Sequence, residues 1–257
     1  MRSYDSPIRV VSMYPDIMNT YSDRGNLLAI QYRALQLGIK IVLEEVSLGD
    51  PFPAQCDLVL IGGGQDQEQK RIATDLKIKT SQLQAWAEDD VSILAVCGGF
   101  QLFGNWYRDI QGNYLEGVKI FDMTTIAPRI KNFRAVGDIW VTSRIEDVGE
   151  VVGFENHAGQ SYLGAKASSF ASVRYGKGNN GIDKTEGAIY RNAIGTYLHG
   201  SVLPKNPRLL DYLLANALSH RYNEDLKPYF SSHSPFVLQA QNAAMDVTRK
   251  KSEKNDV

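Results

Sequence analysis

The chain has 257 residues, 43% of them hydrophobic and 22% charged, with a formal net charge of −1. That composition excludes a disordered chain and is large enough for a full-size core in one domain, while the balanced charge gives no electrostatic case for binding nucleic acid or an anionic membrane. Two cysteines make no disulfide framework, Met1–Pro7 holds no apolar signal core, and no apolar run reaches the roughly 20 residues of a membrane span, so a reduced, cytoplasmic setting is expected.

Ile8–Met13 reads as a first strand, closed by Tyr14-Pro15. The polar stretch Asn19–Asn26 reads as a loop entering a helix over Leu27–Leu37. Its apolar residues Leu27, Ile30, Ala34 and Leu37 fall at helical spacing, and Gly38 stops it. Ile39–Leu43 and Leu58–Ile61 are the second and third strands, the latter running into Gly62-Gly63-Gly64. A helical pattern covers Gln67–Ala87, with a break expected near Asp75. Val91–Val96 is a fourth buried strand, and Gly99–Tyr107 the helix behind it. This alternation predicts an α/β three-layer sandwich with a mostly parallel central sheet.

Past that point the pattern changes. Glu116–Thr125, Gly137–Thr142, Val151–Phe154 and Ser169–Tyr175 read as additional short strands, and Lys177–Thr185 as a polar loop. Gly187–Tyr190 and Ala193–Tyr197 read as two strands meeting at Arg191-Asn192. Asn206–Leu218 is a helix with a wide leucine face and Pro207 in its first turn, where proline is tolerated. Phe236–Val247 is either a terminal helix or an arm that orders against a partner.

Cys97 ends the apolar run Val91–Val96 and is followed at once by Gly98-Gly99. A buried strand that stops on a cysteine and turns into a helix lifts the thiol to the rim of a sheet, the edge where open α/β sheets bind ligands. The turn frees backbone N–H groups to hold an oxyanion, and a helix N-terminus favours the thiolate. The Gly98 N–H is one candidate donor, and the Gly63 or Gly64 N–H at the neighbouring strand end another. His199, in Gly195-Thr196-Tyr197-Leu198-His199-Gly200, is the candidate acid/base, with His157 as its rival. A Cys–His pair on this scaffold points to acyl transfer. The residues after His199 supply no acid to orient it. Asp16, Asp23 or Glu155 must fold back, or a partner chain must provide one. Arg134 is a candidate anchor for a substrate carboxylate, with Arg129 as the alternative. His220 and His233 read as structural or exposed. No metal-ligand spacing stands out, and Gly62-Gly63-Gly64 lacks the Lys-Ser/Thr ending of a phosphate-binding loop.

These residues carry a resemblance. Asn19-Thr20-Tyr21-Ser22-Asp23-Arg24-Gly25-Asn26, Gly62-Gly63-Gly64-Gln65-Asp66, Cys97-Gly98-Gly99-Phe100-Gln101, Phe154-Glu155-Asn156-His157 and Tyr197-Leu198-His199-Gly200 are similar to blocks of class I glutamine amidotransferases. The likeness spans about residues 8 to 218 and is nearest the branch related to the cobyric acid synthase glutaminase. Within that branch the chain resembles the GatD family, the glutaminase subunits of lipid II isoglutaminyl synthases. The resemblance implies a flavodoxin-like amidotransferase fold, Cys97 as nucleophile, His199 as acid/base, Gly64 and Gly98 at the oxyanion, and Arg134 as the glutamine-binding arginine. It implies no cofactor in this chain. ATP and Mg are expected in a MurT-like Mur ligase partner, which would form a heterodimer with this chain near the inner face of the membrane and amidate the D-glutamate α-carboxylate of lipid II to D-isoglutamine. Many members of the wider class place Glu two residues after the histidine; here that position is Ser201. In the GatD branch a partner aspartate is expected instead.

Three other readings share the scaffold: a glutaminase serving a different acceptor such as a cobyrinic-acid-like compound, a Cys-dependent peptidase or deglycase, and a non-enzymatic scaffold. The expected division is a glutaminase domain over 1–222 and a C-terminal extension over 223–257, the latter a partner-docking segment or a disordered tail.

Overall fold

A computed structural model describes residues 5–20, 23–128, 134–226 and 233–255. The first half alternates strand and helix: β1 (Ile8–Met13), α1 (Arg24–Gln36), β2 (Ile41–Val46), β3 (Leu58–Ile61), α2 (Asp66–Glu88), β4 (Ser92–Val96) and the short α3 (Gly98–Leu102). Then come β5 (Trp106–Arg108), β6 (Tyr114–Glu116), β7 (Met123–Ile126), β8 (Ala135–Ser143), β9 (Glu150–His157), β10 (Gln160–Leu163), β11 (Ala171–Tyr175) and β12 (Thr185–Glu186). The chain ends with β13 (Ala188–Tyr190), β14 (Ala193–Thr196), α4 (Val202–Lys205), α5 (Pro207–Tyr222) and α6 (Pro235–Asn255).

The central sheet has six strands in the order β13-β14-β4-β3-β1-β2. All pair in parallel except β13, which forms an antiparallel hairpin with β14. Strands β3 and β4 are buried at every residue, which explains their unbroken apolar sequences. Helix α5 packs its leucine face on β1, β3 and β4, and α3 packs on β4 and β14. Because β3, β4 and β14 are parallel neighbours, their carboxyl ends open on one edge. That edge receives the Gly62–Gly64 turn, Cys97 and, three residues past β14, His199.

Two further four-stranded sheets, β10-β7-β5-β6 and β12-β11-β8-β9, supply the short strands of the middle region. An isolated bridge ties β9 to the central sheet's edge: His199 N–H donates to the Phe154 carbonyl at 2.7 Å. Helix α6 folds back onto β8, β9, β11 and α4, with Gln241 Nε2 donating to the Glu150 carbonyl and Lys251 paired with Asp138.

Three sequence expectations are corrected here. Helix α2 runs unbroken through Asp75, because that carboxylate accepts from Lys79 one turn on at 2.5 Å, from the Tyr14 hydroxyl at 2.7 Å and from Gly49 N–H at 3.1 Å. A polar residue that breaks an isolated helix is here a tertiary anchor. Helix α3 stops at Leu102 rather than Tyr107, because Asn105 N–H is drawn to the Met123 carbonyl and Trp106–Arg108 pair with β6 and β7. The strand expected over Glu116–Thr125 divides into β6 and β7, because the Gly117 backbone sits directly on the Gly104 carbonyl and turns the chain.

Lys79 and Tyr14 are both buried against Asp75. Asp75→Ala strands a buried ammonium and a buried phenol, so it is expected to cost about 3 kcal/mol and lower Tm by roughly 10 °C. Thermal unfolding followed by circular dichroism checks this, and an unchanged Tm contradicts it.

Candidate functional site

Cys97 occupies the junction between β4 and α3 with φ 49° and ψ −104°, a backbone conformation that L-residues rarely adopt. It is held there by Cys97 N–H donating to the Thr196 carbonyl at 2.8 Å and by Gln101 N–H donating back to the Cys97 carbonyl at 2.9 Å. A side chain on Gly98 would lie 2.7 Å from the Gly64 nitrogen and 2.6 Å from its carbonyl oxygen. The two glycine turns therefore touch backbone to backbone beside the thiol.

His199 is fully buried and faces the Cys97 thiol. Its Cε1 would be 2.7 Å from a Cβ at Gly63, and the Cys97 Cβ would be 3.4 Å from the same point, so Gly63 must lack a side chain for imidazole and thiol to meet. His199 Nδ1 lies 3.5 Å from Asp23 Oδ2, which also accepts Gly63 N–H at 2.7 Å. Burial alone pushes the imidazole's pKa down. The Cys97 thiolate and the Asp23 carboxylate more than offset it, and the net shift is upward. The structure thus brings Cys97, His199, Gly64 and Gly98 together, and Cys97, His199 and Gly64 line a cleft of about 630 Å³.

Residues 9–207 match the CobB/CobQ-like glutamine amidotransferase domain. The chain belongs to that family. It is 37% identical over 227 residues to the lipid II isoglutaminyl synthase (glutamine-hydrolyzing) subunit GatD of Streptococcus pneumoniae, covering 88% of this chain and 86% of that one. It is 41% identical over 208 residues to the subunit of the same name in Staphylococcus aureus, covering 80% and 82%. The glutaminase domain of Trypanosoma brucei CTPS has the same fold, with a TM-score of 0.54 over 86% of this chain and 96% of that one at 12% identity.

In this amidotransferase Arg134 stands on the cleft rim, its Nε and Nη2 forked onto Asn156 Oδ1 at 3.1 and 3.0 Å. Arg129 lies outside the described residues. His157 lines the same cleft, but its ring stacks on Tyr197 at 3.6 Å and donates from Nδ1 to the Gly159 carbonyl at 2.7 Å. Burial pushes its pKa down to about 3, so it is a neutral imidazole at physiological pH. Of the acids considered from sequence, Asp16 contacts Ser47 and Glu155 accepts the Lys177 and Gly178 N–H groups; Asp23 alone of the three is placed beside His199. Cys56 is a contrast to Cys97: burial pushes its thiol up to about 12, and its Sγ donates to the Leu58 carbonyl. Among the described residues no group of three or more His, Cys, Asp or Glu could hold a metal, and no helix is long and apolar enough to cross a membrane.

Sequence reasoning assigned no role to two further features of the site. Gln69 Nε2 donates to the Gly64 carbonyl at 3.1 Å and to Gln101 Oε1 at 2.8 Å; Gln101 Nε2 donates to the Tyr197 hydroxyl at 3.2 Å. That hydroxyl meets Ser161 Oγ at 2.7 Å, which meets Thr125 Oγ1 at 2.7 Å. One buried polar chain thus ties the Gly64 turn, the helix behind Cys97 and the segment before His199. The Gly64 carbonyl can only accept, which fixes the Gln69 amide and through it the Gln101 amide. The second feature is Glu186, whose Oε1 accepts Thr196 Oγ1 at 3.0 Å and Tyr197 N–H at 2.7 Å. Burial pushes that carboxyl up to about 8, so it is mostly protonated at neutral pH. Gln101 appears in the motif beside Cys97, but Gln69 and Glu186 carry no local signature.

Gln69→Leu leaves the Gly64 carbonyl and Gln101 Oε1 without their donor. It is expected to cost about 1 to 3 kcal/mol in stability and to lower kcat about tenfold by loosening the Gly64 turn beside Cys97. Urea denaturation and steady-state kinetics check it, and wild-type values in both contradict it.

Proposed function

We propose that this chain is the glutaminase subunit of a lipid II isoglutaminyl synthase. It hydrolyses L-glutamine at Cys97 and passes the ammonia to a separate ligase that amidates lipid II. The reading is carried by identity of 37% and 41% to two subunits of that name over more than four-fifths of their length. It is supported by the thiol–imidazole contact at the sheet edge.

The chemistry follows from the groups present. Glutamine lies in the cleft with its α-carboxylate against Arg134, where a guanidinium fork matches a carboxylate. The Cys97 thiolate attacks the carboxamide carbon, forming a C–S bond, and the oxygen becomes an oxyanion held by the Gly64 and Gly98 N–H groups. The His199 imidazolium gives its proton to the amide nitrogen, the C–N bond breaks, and ammonia leaves. Neutral His199 then takes a proton from water. The hydroxide oxygen attacks the thioester, the C–S bond breaks to release glutamate, and the thiolate–imidazolium pair is restored.

The partner in this reading is a MurT-like Mur ligase forming a heterodimer with this chain at the inner face of the membrane. It holds ATP and Mg and converts the D-glutamate α-carboxylate of lipid II to D-isoglutamine. Residues 1–222 are the family's three-layer glutaminase domain, and 223–257 the extension that meets the ligase. Exposed Phe236 and Leu238 on α6 support that division.

Cys97→Ser and His199→Ala are each expected to reduce glutamine hydrolysis by about 10³-fold or more, measured as ammonia release by the chain with its ligase partner. Arg134→Ala is expected to raise KM for glutamine about tenfold with a smaller change in kcat. Full activity of Cys97→Ser, or hydrolysis of peptides in preference to glutamine, overturns the assignment. Glutamine-driven amidation of a tetrapyrrole carboxylate in place of lipid II overturns the acceptor.

A further inference from the structure

We propose that Asp66 receives the α-ammonium group of glutamine, so that the cleft takes the free amino acid and turns away glutamine in which that group is absent or acylated. The inference rests on the glutaminase reading and extends it to what the cleft recognises in its substrate beyond the carboxamide.

Asp66 opens α2, two residues past Gly64, and lines the same cleft as Cys97 and Arg134. Its Oδ1 accepts the Tyr107 hydroxyl at 2.7 Å. Tyr107 is itself buried and reaches the cleft from β5, so a neutral donor holds the carboxylate in place. Burial and that carboxylate push the phenol's pKa up, so it remains a donor. Among the described residues Asp66 has no cationic partner, and its Oδ2 accepts no hydrogen bond. The scale fits an amino acid. Residues 64 and 66 are at most about 7 Å apart along the backbone. The carboxamide carbon of glutamine is about 5 Å from its α-nitrogen, four bonds away. A substrate whose carbonyl oxygen rests on the Gly64 turn therefore has its ammonium within reach of Asp66.

The charges of the cleft point the same way. Among the described residues that line it, the charged side chains besides the two histidines are Asp66, Lys70 and Arg134. Lys70 is already paired: its Nζ meets Asp109 Oδ2 at 2.5 Å and donates to Gln111 Oε1 at 3.1 Å. The Arg134 guanidinium bonds the neutral Asn156 amide, and the Asp66 carboxylate the neutral Tyr107 phenol. One positive and one negative group are thus left without a counter-charge, the complement of a zwitterionic α-amino acid. With the guanidinium on the substrate carboxylate, the ammonium falls to Asp66. A missing or acylated amine leaves the Asp66 carboxylate desolvated without a partner, the loss by which a polar site rejects an analogue. Asp66 also stands in the first turn of α2, where a carboxylate favours the helix. That second role acts on stability and is blind to the substrate.

The test measures ammonia release by the full chain bound to its ligase partner. Its substrates are glutamine, N-acetylglutamine, glutaramate (which lacks the α-amino group) and 4-aminobutanamide (which lacks the α-carboxylate). The wild type is expected to prefer glutamine to glutaramate and to N-acetylglutamine by at least about 10²-fold in kcat/KM. Asp66→Asn and Asp66→Ser are each expected to raise KM for glutamine about tenfold with a smaller change in kcat, and to shrink the preference over glutaramate to a few-fold. Asp66→Glu, which keeps the charge, is expected to retain most of that preference. Arg134→Ala is expected to leave it near wild type and to reduce the preference over 4-aminobutanamide instead. Equal turnover of glutamine and glutaramate by the wild type, or an unchanged preference in the neutral variants, overturns the proposal. A purely structural role for Asp66 gives that second result, with a lowered Tm and both substrates slowed alike. No ammonia from glutamine with the wild-type complex overturns the glutaminase reading itself.

Discussion

The site depends on one strained residue. Cys97 is held at a positive φ, a conformation that costs on the order of 1–3 kcal/mol and persists only where the surroundings over-determine it. Here they do so from both sides. The Thr196 carbonyl takes the Cys97 N–H, the Gln101 N–H takes the Cys97 carbonyl, and glycines at 98 and 99 let the start of α3 rest directly on the Gly62–Gly64 turn. The strain ends β4 abruptly, and the Gly99 N–H at the start of α3 donates to the Gly62 carbonyl at 3.2 Å, seating one turn on the other.

Burial then does what sequence proximity cannot. Three parallel neighbours, β3, β4 and β14, end together, so residues 64, 97 and 199 meet although the chain separates them by tens of residues. In that dry setting each polar group needs a partner. The same pressure produces opposite outcomes for the two histidines. His157, stacked on Tyr197 and desolvated by burial, stays neutral; His199, facing a thiolate and Asp23, is held toward its charged form. The two cysteines divide the same way, Cys56 buried at the start of β3 and Cys97 lining the cleft.

Much of this was legible in the sequence. Strands β1 and β3 were read at their observed boundaries, since a fully buried strand bounded by turns leaves an unmistakable apolar run. Cys97 before two glycines, and His199 at the end of a short strand, announced themselves by local pattern. What stayed hidden was tertiary. Asp75 reads as a helix breaker until Tyr14 and Lys79 are seen around it, and Gln160–Leu163 carries no strand reading of its own until it pairs with β7. Gln69 and Glu186 are ordinary polar residues in sequence, and only their bonds to the Gly64 carbonyl and to Tyr197 N–H make them part of the site. Among three acids that spacing left equivalent, the contacts of Asp23 with Gly63 and of Gly25 with Ser201 separate Asp23 from Asp16 and Glu155.

The central claim is that glutamine acylates one thiol at the end of β4. Treating the chain with an electrophilic glutamine analogue such as 6-diazo-5-oxonorleucine, then mapping the adduct by peptide mass spectrometry, tests it most directly. The account predicts modification of Cys97 alone, slowed by added glutamine and not by glutamate at the same concentration. An adduct on Cys56, or labelling of Cys97 that glutamine does not slow, contradicts it.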